Sequence, residues 1–380
     1  MIVVVAPYSP VELSSKPHLG AARKIELVIK ALSRIAPVVL INTAHNSKNE
    51  PAKVCDMSLA DGINFKMLTP RCHSSSSVGK LLNLFEVRST WKTLLMLGNP
   101  KLVWLYNGYA FESLFCLLKP KNLNFKLVME IEDWHLSRGR GLNPKPFIDF
   151  LTWHFAMQRV DYCYVINSTV DQIISKYNTP SKLLLGLVDE DLLDDTKINR
   201  VLDTTEIHAG YFGGLNPEKG ADMILDLAKK LPENMHLHIC GAGSLDKDFE
   251  SLKLSRVNYY GRVSTSQLHQ VMQKCHIIIN PHTSIESMQN GVFPFKVIEG
   301  IASGSWMFST KLPTTDFPGL LDSTIEFDGS TEDFLKKIQT TNFDGSSINR
   351  AVEVVRQNFS VETVSRFVSK NIYPEDIKKC

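Results

Sequence analysis

The segment Tyr211-Phe-Gly-Gly-Leu-Asn-Pro-Glu-Lys-Gly220 joins a predicted buried strand, Ile207–Phe212, to a predicted helix, Gly220–Leu231. Glycines allow a phosphate to approach the backbone, and the free N–H groups at the start of a helix form a positive end. Lys219 adds a full positive charge at that end. The pattern suits an anion-binding turn, but on this segment alone an ordinary βα turn with a solvated lysine is the favoured interpretation. It is not a P-loop, because G-x-x-x-x-G-K-[ST] is absent.

Short apolar runs alternate with helical patterns on both sides of this segment. The further predicted strands are Ile2–Ala6, Val38–Ile41, Leu102–Tyr106, Leu127–Ile131, Asp161–Ile166, Met235–Cys240, Val257–Tyr260, His276–Asn280 and Ser305–Ser309. Alternation of strand and helix predicts parallel sheets with right-handed crossovers. We therefore expect an α/β protein with two Rossmann-like, doubly wound domains that face a central cleft, where ligands bind at the carboxyl ends of strands.

The domain boundary is predicted in a polar stretch. Residues 190–205 contain five carboxylates and few large apolar side chains. At roughly 150 residues per domain, the 380 residues suggest two domains. We expect an N-terminal domain over 1–195, a C-terminal domain over 196–360, and a last helix within 361–380 that packs back on the N-terminal domain.

The overall charge is nearly balanced, but its distribution is not. Lys and Arg number 42 against 40 Asp and Glu, which gives +2 and argues against a nucleic-acid partner. Residues 1–190 hold 22 basic and 15 acidic residues, a net of +7, and the remaining 20 and 25 give −5. A basic first half could face an anionic substrate or a membrane surface, and charge scatter between the two domains explains it equally well.

One apolar stretch with interleaved basic residues, Gly79–Leu97, allows two interpretations. It could be an interfacial helix that reaches a lipid-linked acceptor. A helix packed on its own sheet is the favoured interpretation, because most such stretches are of that kind.

Cysteine usage and hydropathy predict the compartment. The seven cysteines are far apart and form no C-x-x-C pair, which argues against a zinc site or a disulfide framework. No signal peptide precedes Pro7, and no run reaches the ~18 apolar residues of a membrane span. We expect a cytoplasmic protein, with peripheral membrane contact through the basic N-terminal half as a further hypothesis.

A second candidate site lies in Phe293-Pro-Phe-Lys-Val-Ile-Glu-Gly-Ile-Ala-Ser-Gly304. Lys296 and Glu299 are three residues apart and share one face in the first turn of a predicted helix. There a lysine can contact phosphate while a glutamate accepts hydrogen bonds from ribose hydroxyls. The alternative is a surface i,i+3 ion pair.

In the first domain, three acids end a buried strand. Glu130, Glu132 and Asp133 lie within four residues, followed by Trp134 and His135. A carboxylate at that edge could contact the transferred sugar or the acceptor. A capping cluster for the next helix is the alternative.

Five ordered segments together resemble the donor domain of GT-B glycosyltransferases, family 4 and its relatives. They are Phe-Gly-Gly-Leu-Asn-Pro-Glu-Lys-Gly, Ile-Cys240-Gly-Ala-Gly-Ser, Tyr-Tyr-Gly261-Arg-Val, Ile-Asn280-Pro and Phe-Pro-Phe-Lys-Val-Ile-Glu299-Gly-Ile-Ala-Ser-Gly. The resemblance covers about residues 206–310 well and 1–190 weakly. It implies a retaining, metal-independent transfer of sugar from a nucleotide-diphosphate donor to a glycan or lipid-linked acceptor, without a cofactor and in a setting such as surface-polysaccharide synthesis.

The resemblance also implies roles by position. Lys219 would bind the donor diphosphate beside Gly213 and Gly214, and Lys296 matches a basic residue of one sub-branch. Glu299 matches the second Glu of the E-x7-E motif and would hold the ribose.

Four further positions complete the implied donor site. The backbone of Gly261, Arg262 and Val263 would flank the base, and Gly20 would bring the first domain's loop near the diphosphate. The candidate catalytic residues are Glu132, Asp133 and Lys219.

Two departures from the family leave other functions open. Gly214 stands where an arginine is usual, and Gly291 where the first Glu of E-x7-E is usual, with Glu286 five residues earlier. Lys296 could replace the lost positive charge. The alternatives are a catalytically degenerate relative that binds a nucleotide-sugar and a nucleotide-sugar epimerase on the same architecture.

The growing charge on a leaving diphosphate must be met by cations and oriented N–H groups if no divalent metal is bound. Lys219, Lys296 and a helix N-terminus are the candidates in this sequence. No Asp-x-Asp dyad follows a predicted strand, which argues against the metal-dependent GT-A class.

Overall fold

The computed structural model describes residues 1–10, 19–44, 50–73, 77–132, 145–193, 205–282 and 293–373. The chain forms two compact units, the first from Met1–Leu185 with Val361–Cys380 and the second from Gly186–Ser360. Each unit is built around its own sheet.

The strands and helices alternate along most of the chain. The strands are β1 (Ile2–Ala6), β2 (Val38–Asn42), β3 (Lys53–Ser58), β4 (Asn64–Thr69), β5 (Leu102–Tyr106), β6 (Lys126–Ile131), β7 (Tyr162–Val165), β8 (Ser181–Leu183), β9 (Ile207–Phe212), β10 (Met235–Cys240), β11 (Val257–Gly261), β12 (Ile277–Asn280), β13 (Trp306–Ser309) and β14 (Thr324–Glu326). The helices are α1 (Leu19–Ser33), α2 (Ser77–Phe85), α3 (Val87–Leu97), α4 (Ala110–Leu117), α5 (Lys145–Met157), α6 (Ser168–Ser175), α7 (Ala221–Lys229), α8 (Asp246–Ser251), α9 (Thr265–Met272), α10 (Phe295–Ala302), α11 (Thr331–Thr340), α12 (Gly345–Phe359) and α13 (Val361–Asn371).

The first unit has an eight-stranded sheet in the order β3-β4-β2-β1-β5-β6-β7-β8. Its strands are parallel apart from the antiparallel pair β3 and β4. Every residue of β1, β2 and β5 is buried, as continuous apolar runs require when helices cover both faces of a sheet. The C-terminal helix α13 packs against α1 in this unit.

The second unit has a six-stranded parallel sheet in the order β11-β10-β9-β12-β13-β14. This is the strand order of the Rossmann fold, in which the direction of winding reverses between the first and fourth strands. The reversal lies between β9 and β12. The predicted α/β class with two Rossmann-like domains is confirmed.

The chain passes from one unit to the other before the predicted boundary. The Leu184 N–H donates to Val165 O at 2.8 Å in the first unit, whereas the Val188 N–H donates to Phe359 O at 2.8 Å in the second. The first unit therefore ends at Leu185, ten residues before the predicted end at 195. The start of the polar stretch is a short 3₁₀ turn, Glu190–Leu192, that belongs to the second unit.

The stretch Gly79–Leu97 is two helices rather than one. Helix α2 ends at Phe85 and α3 begins at Val87, with Glu86 between them. None of the described helices is both long enough and apolar enough to cross a bilayer.

Candidate functional site

The reversal of winding brings two chain segments together at the carboxyl edge of the second sheet. Residues 213–220 follow β9, and Pro281 and His282 follow β12. Ligands of doubly wound sheets bind outside the carboxyl ends of the strands at this point. Helix α10, which follows β12, contributes Lys296 and Glu299.

Gly220 permits the close approach of these two segments. Its φ is +74°, in the left-handed region. A Cβ at this position would lie 2.0 Å from Pro281 O, so no other residue fits without moving the backbone. Gly220 is therefore required for packing, in addition to its place in the predicted anion-binding turn.

Tyr211, near the carboxyl end of β9, forms hydrogen bonds to the loop that follows the strand. Its buried hydroxyl donates to Gly214 O at 2.7 Å and lies 3.3 Å from Lys219 O. Burial raises the pKa of Tyr211, so the hydroxyl keeps its proton and remains a donor. The ring lies beneath the Lys296 ammonium group, with 4.9 Å from Nζ to the ring centroid.

Two lysine side chains lie at this loop, Lys296 over the Tyr211 ring and Lys219 beside His282. The Lys296 Nζ lies 3.8 Å from the position that a Cβ on Gly213 would take. The Lys219 Nζ donates to the His282 Nε2 at 3.0 Å. Within the described ranges, neither lysine forms an ion pair with a carboxylate, and lysines without a carboxylate partner at such an edge indicate a site for an anion.

Burial and neighbouring lysine charges set the pKa values of His282 and Lys296. Burial, and then the charges of Lys219 and Lys296, lower the pKa of His282 to about 4. His282 is therefore neutral near pH 7, and its free lone pair accepts a hydrogen bond from the Lys219 ammonium group. Burial and the Lys219 charge lower the pKa of Lys296 to about 7.

Glu299 lies one helical turn after Lys296 and is buried, with 5 % of its surface exposed. It does not pair with Lys296, so the interpretation of a surface i,i+3 ion pair is wrong. Glu299 is buried and Lys296 is half-buried, and a ligand-binding role for the pair stays a prediction.

The remaining predicted donor residues lie at other points. Gly261 ends β11 with a φ of +63°, and the Gly241 N–H donates to its carbonyl at 2.9 Å. Arg262 is exposed and Val263 half-buried. Gly20 lies in α1 of the first unit, and a Cβ placed on it would meet nothing within 4 Å. Asp133, Trp134, His135, Glu286 and Gly291 lie outside the described residues.

Glu132 lies at the carboxyl edge of the first sheet, directly after β6. The Tyr106 hydroxyl donates to one carboxylate oxygen of Glu132, and the Lys24 Nζ lies 3.8 Å from the other. Lys24 also pairs with Glu130 at 3.0 Å, and Trp104 Nε1 donates to Glu130 at 2.9 Å. Glu130 and Glu132 are thus both held by Lys24 and by an aromatic donor.

The buried Lys24 ammonium group lies between two carboxylates, those of Glu130 and Glu132. Burial alone would lower the pKa of Lys24, but the adjacent charges of Glu130 and Glu132 outweigh it and raise that pKa. Lys24 therefore stays charged beside its two carboxylates.

A strained residue fixes the backbone of Glu132. Asn107 follows β5 with a φ of +59°, which is uncommon for a residue other than glycine. Its Oδ1 accepts the Glu132 N–H at 2.7 Å. Such strain persists where surrounding structure fixes it, and it is frequent at functional sites.

Four residues of these sites were missed by sequence reasoning: Tyr211, His282, Lys24 and Asn107. Lys24, Asn107 and His282 contact partners remote in sequence; Lys219 and His282, for example, are 63 residues apart. For His282, its position directly after the Ile-Asn280-Pro strand end was the one available signal.

Comparison with known proteins places this geometry in context. Residues 194–316 match the family model described as glycosyl transferases group 1. The chain carries a glycosyltransferase domain. The cations of this glycosyltransferase domain, Lys219 and Lys296, both lie within the matched residues.

Solved structures extend the likeness to nearly the whole chain. Sucrose-phosphate synthase from Thermosynechococcus elongatus is similar with a TM-score of 0.65 and 11% identity, over 97% of this chain and 98% of that one. HepE of Anabaena in complex with UDP-glucose has a TM-score of 0.62 and 14% identity, over 98% and 99%. The lipopolysaccharide outer core galactosyltransferase WaaB has a TM-score of 0.58 and 14% identity, over 97% and 98%.

These similarities show that the glycosyltransferase has the GT-B fold. Identities this low carry no further statement about substrate. No curated protein sequence matches the chain.

Proposed function

We propose that this glycosyltransferase takes a sugar from a nucleotide-diphosphate donor and passes it to a glycan or lipid-linked acceptor. The carrying observation is the pair of lysines, Lys219 and Lys296, that lack a carboxylate partner among the described residues at the reversal of the second sheet. The complexes of HepE with UDP and with UDP-glucose lend support from a protein of the same fold.

The chemistry needs these two cations. Cleavage of the anomeric C–O bond leaves negative charge on the diphosphate, and preorganised cations stabilise that charge most in a site with little water. Gly214 removes the arginine usual at its position, and Lys296 fills the adjacent space beside Gly213. We propose that the transfer proceeds in this way without a divalent metal or cofactor. The family 4 resemblance supports retention of anomeric configuration.

The other donor contacts follow the shape of the sheet edge. Buried Glu299 would accept hydrogen bonds from ribose hydroxyls, and the backbone at Gly261, Arg262 and Val263 would flank the base. Gly213 and Gly214 leave room for phosphate oxygens at the backbone. Gly20, in the first unit, stays a prediction for the same ligand.

We propose that the first unit binds the acceptor at Glu132. Its carboxylate is held by Tyr106 and Lys24 and is 18% exposed, so it can accept a hydrogen bond from an acceptor hydroxyl in a fixed orientation. Asp133 stays a prediction for the same role.

A lipid-linked acceptor would require contact with a membrane, which we propose for the basic first unit. Its helices expose large apolar side chains, including Phe85 at 75%, Met96 at 79% and Phe147 at 67%. Basic surfaces with exposed aromatic residues bind anionic bilayers. Six described cysteines are free thiols, which suits a cytoplasmic location at such a membrane and a role in surface-polysaccharide synthesis.

Binding of nucleotide diphosphates tests the donor site. We expect one or more of UDP, GDP, dTDP and ADP to raise the melting temperature of the protein, because a ligand of the native state stabilises it. Lys219→Ala should weaken that binding about 10- to 100-fold, the usual loss for a charge-assisted hydrogen bond. Isothermal titration calorimetry measures both effects.

Lys253→Ala is the matched control, because Lys253 is exposed on the same unit away from the sheet reversal. It should bind like the unmodified protein. If the Lys219→Ala and Lys253→Ala variants bind nucleotide with equal affinity, the diphosphate does not bind at this site. A bound nucleotide with no donor hydrolysis and no transfer would instead favour the degenerate relative.

A further inference from the structure

The two lysines of the donor site are not equivalent. Lys219 donates a hydrogen bond to the neutral ring of His282 at 3.0 Å. Lys296 has an aromatic face 4.9 Å from Nζ but no ion-pair partner in the described parts of the chain. A second full positive charge next to Lys219 is therefore costly in the empty site.

Charged and titratable groups approach Lys296 from each packed element. The loop after β9 contributes Lys219, the end of β12 contributes His282, and α10 contributes buried Glu299. The acids nearest to Tyr211 are Glu218 and Asp222, both exposed. None of these carboxylates reaches ion-pair distance of Lys296, so among the described residues the charge that acts on Lys296 most is that of Lys219.

We propose that, above pH 7, the donor diphosphate binds together with a proton: the Lys296 Nζ takes up one proton from solvent as the diphosphate binds beside it. This inference rests on the proposed donor function and deepens it. The proton moves from water to the Nζ lone pair, no other bond changes, and it returns to solvent when the nucleotide diphosphate leaves.

Proton uptake would give Lys296 a full positive charge while the diphosphate is bound. With the diphosphate bound, its negative charge reverses the potential that Lys219 alone imposes on Lys296, so the ammonium form becomes favoured. Its pKa of about 7 in the empty site is in keeping with this behaviour. The departing diphosphate then meets two full cations rather than one.

Calorimetric titration with UDP, GDP, dTDP and ADP at pH 8 in buffers of different ionisation enthalpy measures the protons taken up. The phosphate groups are fully ionised there, because their last pKa is about 6, so any proton must enter the protein. We expect uptake of about one proton, and a Kd that rises about tenfold from pH 7.5 to pH 8.5.

Lys296→Arg is the matched variant, because arginine keeps its charge at every pH of the experiment. It should bind without proton uptake and with a Kd that does not change over that range. Lys253→Arg should behave like the unmodified protein.

The outcomes separate the two proposals. Binding without proton uptake, or uptake that persists in Lys296→Arg, overturns the inference and leaves the donor function standing. Failure of all four nucleotides to bind the unmodified protein overturns the donor function and this inference with it. The pH dependence of the unmodified protein requires no variant, so a misfolded variant does not obscure the result.

Discussion

Gly220 is the residue on which the geometry of the donor loop depends most directly. Its φ is positive, and a Cβ added to it would lie only 2.0 Å from Pro281 O, so alanine must distort both segments. We expect Gly220→Ala to lower the free energy of unfolding by about 2 kcal/mol or more, the cost of a left-handed alanine plus the clash. Urea denaturation of the full chain measures this change in the free energy of unfolding.

Gly345 offers the control for this substitution. It opens α12, its φ is not in the left-handed region, and nothing lies within 4 Å of a Cβ placed there. Gly345→Ala should leave stability unchanged or raise it by up to about 1 kcal/mol. Equal effects of the two substitutions would contradict the packing role of Gly220.

Glu132 gives a residue-scale prediction for the first unit. Glu132→Gln keeps the shape of the side chain but removes its charge, so the acceptor loses its charged hydrogen-bond partner. We expect turnover to fall about 100-fold while the Kd of the nucleotide stays the same. Steady-state kinetics with calorimetry separates the two quantities, with Glu50→Gln on the same unit as control. Turnover equal to that control would remove Glu132 from the reaction.

Single residues were predictable where their signal was local. Lys219 was identified by the glycine-bearing turn around it, and Lys296 and Glu299 by their spacing on one helix face. His282 has no local signal, since its partner Lys219 is 63 residues away, and the contact of Tyr211 with Lys296 is likewise set by the fold. The distinction between Lys219 and Lys296 also required the structure, because it depends on which lysine the histidine accepts from.

At the scale of elements, α5 carries an unpartnered apolar face among the described residues. Phe147, Phe150, Leu151 and Phe155 are 67%, 47%, 42% and 48% exposed, at the spacing of one helix face. The opposite face buries Trp153. If α5 contacts the membrane, Phe147→Ser with Phe150→Ser should lower the partition coefficient onto phosphatidylglycerol-containing vesicles about tenfold or more.

Vesicle sedimentation checks this prediction. Leu254→Ser, at a similarly exposed leucine of the second unit, should bind vesicles like the unmodified protein. If the variant with Phe147→Ser and Phe150→Ser also binds vesicles like the unmodified protein, α5 does not contact the bilayer.

Elements with continuous apolar runs were predictable, and others were not. Strands β1, β5 and β9 follow the predicted limits because their residues are buried on both faces. The edge strand β3 was missed, since it is mostly exposed and pairs antiparallel with β4. Helix α5 was missed because its sequence is apolar on all sides, so no helical period stands out.

At the scale of the whole molecule, two sheets of the same class carry different chemistry at their carboxyl edges. The second sheet presents cations at its reversal between β9 and β12. The first presents a carboxylate cluster after β6, held by a buried lysine. The sequence predicted both edges from strand ends and charge, but it placed the boundary between units in the polar stretch rather than at Gly186.

The central claim is that Lys219 and Lys296 together bind the diphosphate of a nucleotide. The most direct measurement is a crystal structure of the protein with the tightest-binding of the four nucleotide diphosphates. The account predicts phosphate oxygens about 3 Å from both Nζ atoms, the length of charge-assisted hydrogen bonds. Phosphates bound elsewhere, with both ammonium groups turned to bulk solvent, would contradict it.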